Sequence, residues 1–97
     1  MNWKQRIINL GEIKAGKKIT VTFVADQDLI NVDNMISSCG CSSPRIDKNK
    51  IVVQYTPGAI PRHLQNVGFY TSENKVTITY KDRSQDILRF KAKVIKN

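Results

Sequence analysis

The chain has 97 residues, which makes one domain that is long enough to bury a single hydrophobic core. Sixteen Lys and Arg residues oppose eight Asp and Glu residues, so the net charge is +8 and anionic partners are favoured. No apolar run approaches the roughly 20 residues of a membrane-spanning helix. We therefore expect a single domain over residues 1–97, with residues 1–7 as an extended N-terminal arm, and no membrane span.

The N-terminal residues and the composition bear on localisation. The first six residues carry charge but lack the apolar segment of a secretory signal peptide, and two cysteines are too few for a disulfide framework. The content of Lys, Asn and Ile is high, as in proteins of AT-rich genomes, many phage genomes among them. We expect the protein in a virion or in the cytoplasm of the producing cell, unless Met1 begins a mature domain separated from its own leader.

Period-two alternation of apolar and polar residues predicts a series of short strands. In the second of them Ile19, Val21 and Phe23 share one face, and in the third Ile30 and Val32 are in phase. The predicted strands are, in chain order, 8–13, 19–23, 29–32, 51–55, 67–71, 76–80 and 88–94. Polar turns lie at 14–17, 25–28, 47–50, 56–58 and 81–86, and a loop covers 59–66.

Residues 36–44 form the cysteine turn, around which the other segments are arranged. It contains both cysteines and four serines. Gly40 permits a backbone conformation that a side chain would resist, and Pro44 fixes the direction of exit. We expect a turn or crossover between strands here.

No stretch has helical spacing over a useful length. Short strands separated by turns predict an all-β, immunoglobulin-like two-sheet antiparallel sandwich of six to eight strands. The aromatic residues in phase with its core are Phe23, Tyr55, Tyr80 and Phe90. The aromatic residues left over for a surface are Trp3, Phe69 and Tyr70.

The order of several short motifs resembles a known family. The motifs are Leu10-Gly11-Glu12-Ile13, Gly16, Ile19-x-Val21-x-Phe23, Ile30-x-Val32, Ser38-Cys39-Gly40-Cys41 with Pro44, Val53-x-Tyr55-x-Pro57 and Leu88-x-Phe90-x-Ala92-x-Val94. Together they resemble the bacterial and phage domain-of-unknown-function family of immunoglobulin-like, ASH/Hydin-type sandwiches. The resemblance implies the sandwich fold and no assigned enzymatic activity. Asp26-Gln27-Asp28 replaces the family's usual Asn-Thr-Gly, so that turn is expected to differ.

Cys39 and Cys41 have three possible states. They could be buried thiols, a disulfide or metal ligands. In an extended chain their Cα atoms would lie roughly 6.6–7 Å apart, at or beyond the usual limit for a disulfide, so a bridge would need a contorted turn that Gly40 could supply. The residues that could complete a metal site are His63, Asp33, Asp47 and, for Cu(I), Met35. We expect no metal and no cofactor.

Catalysis by the cysteine turn would require a general base. His63 is the single candidate for a nucleophilic cysteine, and a lone His in a loop is usually solvated. The serines at 37, 38, 42 and 43 are better explained by hydrogen bonding within the turn. We therefore expect that the protein is not an enzyme.

The basic residues supply the candidate binding site. Arg89, Lys91 and Lys93 alternate and should project together from the outer side of the last strand. A second basic group consists of Lys14, Lys17 and Lys18. Proteins that bind nucleic acid usually have exposed aromatic residues among their cations. Most aromatic residues of this chain are in phase with the core, so we expect no sequence-specific binding of nucleic acid.

These features predict a structural, protein-binding module whose partner is an acidic surface or a capsid or tail assembly. In this hypothesis the protein is an accessory or decoration component of a phage virion. Two alternatives stay open. One is a metal- or redox-responsive module that uses the Cys-Gly-Cys turn, and the other is a nonspecific binder of polyanions.

Overall fold

The computed structural model describes residues 1–97 and contains seven strands in two sheets. The elements are β1 (Ile7–Lys14), β2 (Ile19–Val24), β3 (Val32–Ser37), β4 (Ser42–Asp47), β5 (Lys50–Tyr55), a 3₁₀ turn (Arg62–Leu64), β6 (Phe69–Tyr80) and β7 (Gln85–Ile95). The larger sheet has the order β1-β7-β6-β3 and the smaller sheet the order β2-β5-β4. The predicted all-β sandwich of six to eight strands is therefore confirmed. None of its segments is a helix of the length and apolarity needed to cross a membrane.

The core lies between the two sheets and is built from alternate residues of each strand. The four aromatic residues predicted for it, Phe23, Tyr55, Tyr80 and Phe90, are all buried. The rings of Tyr55 and Phe90 meet edge to face, with centroids 5.1 Å apart. Burial of each large side chain contributes about 1.5–3 kcal/mol, so the period-two pattern is also the main source of stability.

One strand pair departs from the antiparallel arrangement. β1 runs parallel to β7, with Ile7 opposite Arg89 and Lys14 opposite Ile95. The register shifts between Asn9 and Glu12, and Gly11 within this bulge has a φ of 70°. The Asn9 side-chain oxygen accepts a hydrogen bond from the Gly11 N–H at 3.0 Å. The bulge thus requires a residue that tolerates the left-handed region, and glycine does so without a steric penalty.

The strand predicted over residues 29–32 is wrong in position. β3 begins at Val32, and Leu29 and Ile30 lie in the irregular segment before it. Leu29 is buried and its N–H donates to the Lys48 carbonyl at 2.8 Å, whereas Ile30 is 75% exposed. The apolar residues of this segment resemble a strand in the sequence, but Leu29 is buried as part of the core cluster and its backbone bonds a distant turn.

The two strands predicted over 67–71 and 76–80 are a single strand of 12 residues, β6. It pairs with β7 from Phe69 opposite Ile95 to Thr79 opposite Gln85. The polar residues at 72–75 hide this continuity in the sequence. They are compatible with a strand because the long partner satisfies their backbone groups and because Ser72 hydrogen-bonds the buried Tyr55 hydroxyl at 3.1 Å.

The sequence predicts no strand at β4, because the predicted cysteine turn covers residues 42–44 and a predicted polar turn begins at residue 47. β4 includes Pro44, which is tolerated since β4 is an edge strand. The Thr56 N–H donates to the Cys41 carbonyl at 3.0 Å, and the alternation of hydrogen-bonded pairs from there makes Pro44 and Val53 a non-hydrogen-bonded pair. The missing N–H of Pro44 therefore faces the open side of the sheet.

The expectation that Trp3 is free for a surface is also wrong. Trp3 forms an isolated bridge with Ala25 and packs against the core. Its indole N–H donates to the Asp86 carboxylate at 3.1 Å. Arg6 donates to the same carboxylate at 2.9 Å and the Tyr80 hydroxyl donates to it at 2.7 Å. This carboxylate anchors the N-terminal residues to the start of β7.

The contacts around the Asp86 carboxylate shift the pKa values of Asp86 and Tyr80 in opposite directions. Burial raises the pKa of Asp86, but the hydrogen bonds from Tyr80, Trp3 and Arg6 and the Arg6 charge outweigh it, and the pKa stays below its ordinary value. Burial, followed by the hydrogen bond and the charge of Asp86, raises the pKa of Tyr80 well above its ordinary value. The ionised carboxylate and the neutral phenol are therefore the stable pair.

We predict that Asp86→Asn lowers the free energy of unfolding at pH 7 by about 2–3 kcal/mol, because it removes a charged acceptor of three hydrogen bonds. The folded-state pKa of Asp86 is depressed, so its contribution is present above the unfolded pKa of about 3.9 and is lost as pH falls through the folded pKa. Urea unfolding as a function of pH measures this: the wild type should lose the advantage over the variant below about pH 4.

The matched control is Asp28→Asn, which removes one carboxylate from an exposed position. It should keep both the stability and the pH profile of the wild type. If Asp86→Asn behaved in the same way as this control, the anchoring role of the carboxylate would be refuted.

Candidate functional site

The outer face of the larger sheet is the candidate binding surface. We define it as the side chains of β1, β7, β6 and β3 that point away from the core. Arg89, Lys91 and Lys93 lie on it, because they alternate with the buried residues of β7. Strand register arranges the face in rows, which are Asn34–Thr79–Gln85, Ile36–Thr77–Ile87, Lys75–Arg89–Ile7, Glu73–Lys91–Asn9, Thr71–Lys93–Glu12 and Phe69–Ile95–Lys14.

The face is less uniformly basic than the alternation in β7 suggested. Arg89 pairs with Glu73 at 3.8 Å, and Lys93 pairs with Glu12 at 3.5 Å. Both ion pairs are exposed, and such pairs contribute only about 0–1 kcal/mol. Lys91 lies between them and forms no ion pair. The glutamates come from β6 and β1, so the sequence of β7 could not reveal them.

A shallow depression of about 550 Å³ lies over the β1 bulge, on this same face. Its charged lining residues are Lys91, Lys93, Glu12 and Glu73. Because the two cations are matched by two carboxylates, the depression has no excess of positive charge. The excess positive charge of the face lies outside the depression, at Lys14, Lys75 and Arg89.

The structure separates the second predicted basic group. Lys14 ends β1 opposite Ile95 and joins the outer face. Lys17 and Lys18 lie in the connection from β1 in the larger sheet to β2 in the smaller one, where the Lys17 N–H donates to the Lys14 carbonyl at 3.2 Å. Among the predicted residues, only Lys14 shares a surface with Arg89, Lys91 and Lys93.

The outer face also carries apolar side chains that the sequence analysis missed. Ile36 and Ile7 are 59% and 56% exposed, and Ile87 is 38% exposed. Ile36 and Ile87 flank Thr77 in one row, and Ile7 ends the next row. The exposure of Ile87 could have been predicted, because it is out of phase with the core residues Leu88 and Phe90 of the same strand. Ile36 and Ile7 lie on other strands, so their position near Ile87 could not be predicted from the sequence of β7.

The cysteine turn holds a disulfide between Cys39 and Cys41, with Cα atoms 5.1 Å apart. The chain is bent here rather than extended, since the Ser42 N–H donates to the Cys39 carbonyl at 3.2 Å. The expected role of Gly40 is wrong: its φ lies outside the left-handed region, and a Cβ added there would contact nothing. The close approach of the two cysteines comes from the turn and not from an unusual glycine conformation.

Three of the four serines of this turn hydrogen-bond within it or to the neighbouring strand, whereas the Ser43 side chain is exposed and makes no hydrogen bond within the protein. The Ser37 hydroxyl donates to the Cys39 carbonyl at 3.0 Å and also hydrogen-bonds the buried Ser42 hydroxyl. The Ser38 hydroxyl accepts from the Lys75 N–H at 3.0 Å. These contacts fix the exit of β3 and the entry of β4.

His63 does not belong to the cysteine turn. It lies in the 3₁₀ turn between β5 and β6. Three or more His, Cys, Asp or Glu side chains that could hold a metal ion do not come together anywhere in the chain. In the disulfide form the two sulfur atoms are bonded to each other, so neither Cys39 nor Cys41 is a thiolate in this form.

We predict that reduction of the disulfide leaves the domain folded. A bridge that closes a ring of three residues restricts the unfolded chain very little, and the chain-entropy relation gives about 1.6 kcal/mol. Urea unfolding with and without a dithiol reductant should show a loss of this size. The control is the double variant Cys39→Ala/Cys41→Ala, which should not respond to the reductant. Unfolding of the wild type on reduction would contradict the prediction.

Comparison with known proteins identifies a family. The family model described as "Protein of unknown function (DUF1573)" matches residues 1–94 of the 97. No curated protein matches the sequence. The match covers all seven strands and the cysteine turn apart from the last residue of β7. The chain therefore belongs to the DUF1573 family.

Proposed function

We propose that this protein is a non-enzymatic, immunoglobulin-like module that binds another protein through the outer face of its larger sheet. The observation that carries the proposal is the combination on that face of Arg89, Lys91 and Lys93 with the exposed Ile36 and Ile87. Apolar side chains beside arginine and lysine form a mixed surface of the kind that protein interfaces use. A four-stranded sheet also presents them without a loss of backbone entropy on binding.

Charge argues for an acidic partner. Five cations lie on the outer face (Lys14, Lys75, Arg89, Lys91 and Lys93) against the two glutamates Glu12 and Glu73. With a net charge of +8, the whole molecule attracts an acidic surface over distances up to the Debye length of about 8–10 Å. Attraction of this kind speeds association and selects against basic partners.

Recognition of bases fits this face poorly. Lys93 lies over the Phe69 ring, with its Nζ 4.4 Å from the ring centroid. The Tyr70 hydroxyl donates to the Gly58 carbonyl at 2.7 Å. Neither ring belongs to a series of open aromatic side chains on which successive bases could stack. We therefore propose a protein partner rather than a specific nucleic acid sequence.

A narrower form of the proposal is that the chain is an ASH/Hydin-type sandwich that decorates a phage particle. Small size, positive charge and the Lys-, Asn- and Ile-rich composition support it. In this form the acidic partner is a capsid or tail surface, and the protein sediments with intact particles at physiological salt.

The disulfide favours a second candidate function, a redox-responsive module. A dithiol of the cell would break the bond between Cys39 and Cys41, which take up two electrons and two protons as the dithiol becomes a disulfide. Because this bridge contributes little to stability, reduction would alter the connection between β3 and β4 rather than unfold the domain. In this function partner binding would differ between the oxidised and the reduced protein.

We predict that Arg89→Glu/Lys91→Glu weakens partner binding at least tenfold, because it replaces two positive charges of the outer face with two negative ones. The matched control is Arg45→Glu/Lys50→Glu, which makes the same change on the outer side of the smaller sheet. Cross-linking in the producing cells followed by mass spectrometry identifies the partner, and titration of that partner with each variant gives the dissociation constants.

Four outcomes separate the hypotheses. A selective loss in the outer-face variant supports the proposal. Equal losses in both variants, with an affinity that falls steeply with salt, would identify a nonspecific polyanion binder instead. Failure to recover any partner would overturn the proposal, and an affinity that depends on reductant would favour the redox-responsive module.

A further inference from the structure

The four edge strands of the sandwich differ in how they are protected from pairing with another chain. Pro44 lies in edge strand β4, and the Gly11 bulge disrupts edge strand β1. The end of β2 is covered by the N-terminal residues, since the Lys4 N–H donates to the Val24 carbonyl at 2.9 Å. β3 has an irregularity only at Asp33, and its remaining residues 34–37 contain no proline, glycine or charge. β3 is therefore an edge that is open to an added strand along residues 34–37, and it is the open edge that borders the outer face.

The hydrogen-bond phase of β3 shows which backbone groups face outward. The Ser38 N–H donates to the Lys75 carbonyl at 2.9 Å, and hydrogen-bonded pairs alternate along an antiparallel ladder. The backbone groups of Ile36 consequently face β6. Those of Met35 and Ser37 face the free side of the sheet, where they offer two N–H donors and two carbonyl acceptors to a further strand.

The side chains beside this edge specify what such a strand should contain. Residues opposite each other share a face, so a residue paired with Ile36 would extend the row of Ile36, Thr77 and Ile87. The next residue on that face, two positions away, would lie beside Ser38 in the row that leads to Lys75 and Arg89. Neighbouring strands are about 4.8 Å apart, which places the long Lys75 side chain within reach of an acidic residue there.

We propose that the free edge of β3 binds an extended peptide segment of an acidic partner, which adds to the larger sheet as a fifth strand. The segment has an apolar residue opposite Ile36 and an Asp or Glu two positions away, beside Lys75. This inference rests on the proposed function and specifies its partner: backbone hydrogen bonds of the Met35 and Ser37 groups supply affinity, and the two side-chain positions supply selectivity.

A second copy of this chain is the competing occupant of the edge. Two copies would meet with a charge of +8 each, which opposes self-association. An acidic segment has the opposite charge and adds no such repulsion. The charge therefore favours the peptide over a dimer in which β3 pairs with itself.

The test uses a ten-residue synthetic peptide of threonines with one Val and one Asp two positions apart. Three control peptides carry Lys in place of Asp, Asn in place of Asp, or N-methylated amides. Backbone amide NMR shifts of the protein, followed during titration, should change most along β3. We expect the Asp peptide to bind about tenfold more tightly than the Lys peptide, and the N-methylated peptide not to bind. Absence of binding, or shifts confined to other strands, would overturn the inference.

Two variants of the protein complete the test. Met35→Pro removes an N–H that faces the free side and keeps the hydrogen bonds from Ile36 to β6. Since proline could also disturb folding, Lys75→Glu provides an independent check that should reverse the preference between the Asp and Lys peptides. Lys50→Glu, on the smaller sheet, is the charge-matched control and should keep the wild-type preference.

The outcomes distinguish this inference from the proposed function. If the natural partner is lost with Arg89→Glu/Lys91→Glu and retained by Met35→Pro and Lys75→Glu, the partner uses the outer face and not the β3 edge, so only this inference fails. If none of these variants affects the partner, both fail. If light scattering shows a wild-type dimer and a Met35→Pro monomer, the edge binds a second copy and the peptide proposal is overturned.

Discussion

The pairing of β6 with β7 is the interaction on which the rest of the structure depends. The two strands remain in register from Phe69 opposite Ile95 to Thr79 opposite Gln85. One side of this long hairpin supplies the larger sheet's part of the core, including Val76, Ile78, Leu88 and Phe90. Its two edges then accept β1 and β3. Because each side chain points to one side of the sheet or the other, the register that buries the core also fixes which cations reach the outer face.

The carboxylate of Asp86 links the N-terminal residues to this hairpin. It receives hydrogen bonds from Trp3 and Arg6, which precede β1, and from Tyr80, which ends β6. A buried carboxylate without donors would be costly, whereas one with three donors stabilises the arrangement that supplies them. The same contacts hold the N-terminal residues against the C-terminal end of β2 and cover that end of its edge.

The outer face has two regions of different character, and they suit different parts of an interface. Around Lys91 and Lys93 the glutamates Glu12 and Glu73 moderate the positive charge, so contacts there favour selectivity over affinity. Toward β3 the face becomes apolar at Ile87 and Ile36 and ends at a sheet edge with unpaired backbone groups. The disulfide lies just beyond the end of β3. Any redox change in that turn would therefore act next to the edge rather than on the cations.

Alternation along a strand is a local property, so the order of residues was enough to predict the class of fold, the four core aromatic residues and the outward direction of Arg89, Lys91 and Lys93. Which strands are neighbours became known only from the folded chain. It placed Glu73 beside Arg89, packed the partly buried Trp3 against the core, joined residues 69–80 into one strand and bent the turn enough to pair Cys39 with Cys41. Alternation with a period of two shows which face of a sheet a residue lies on, but not which residue lies beside it. The neighbours of a residue depend on contacts between parts of the chain that are far apart in sequence.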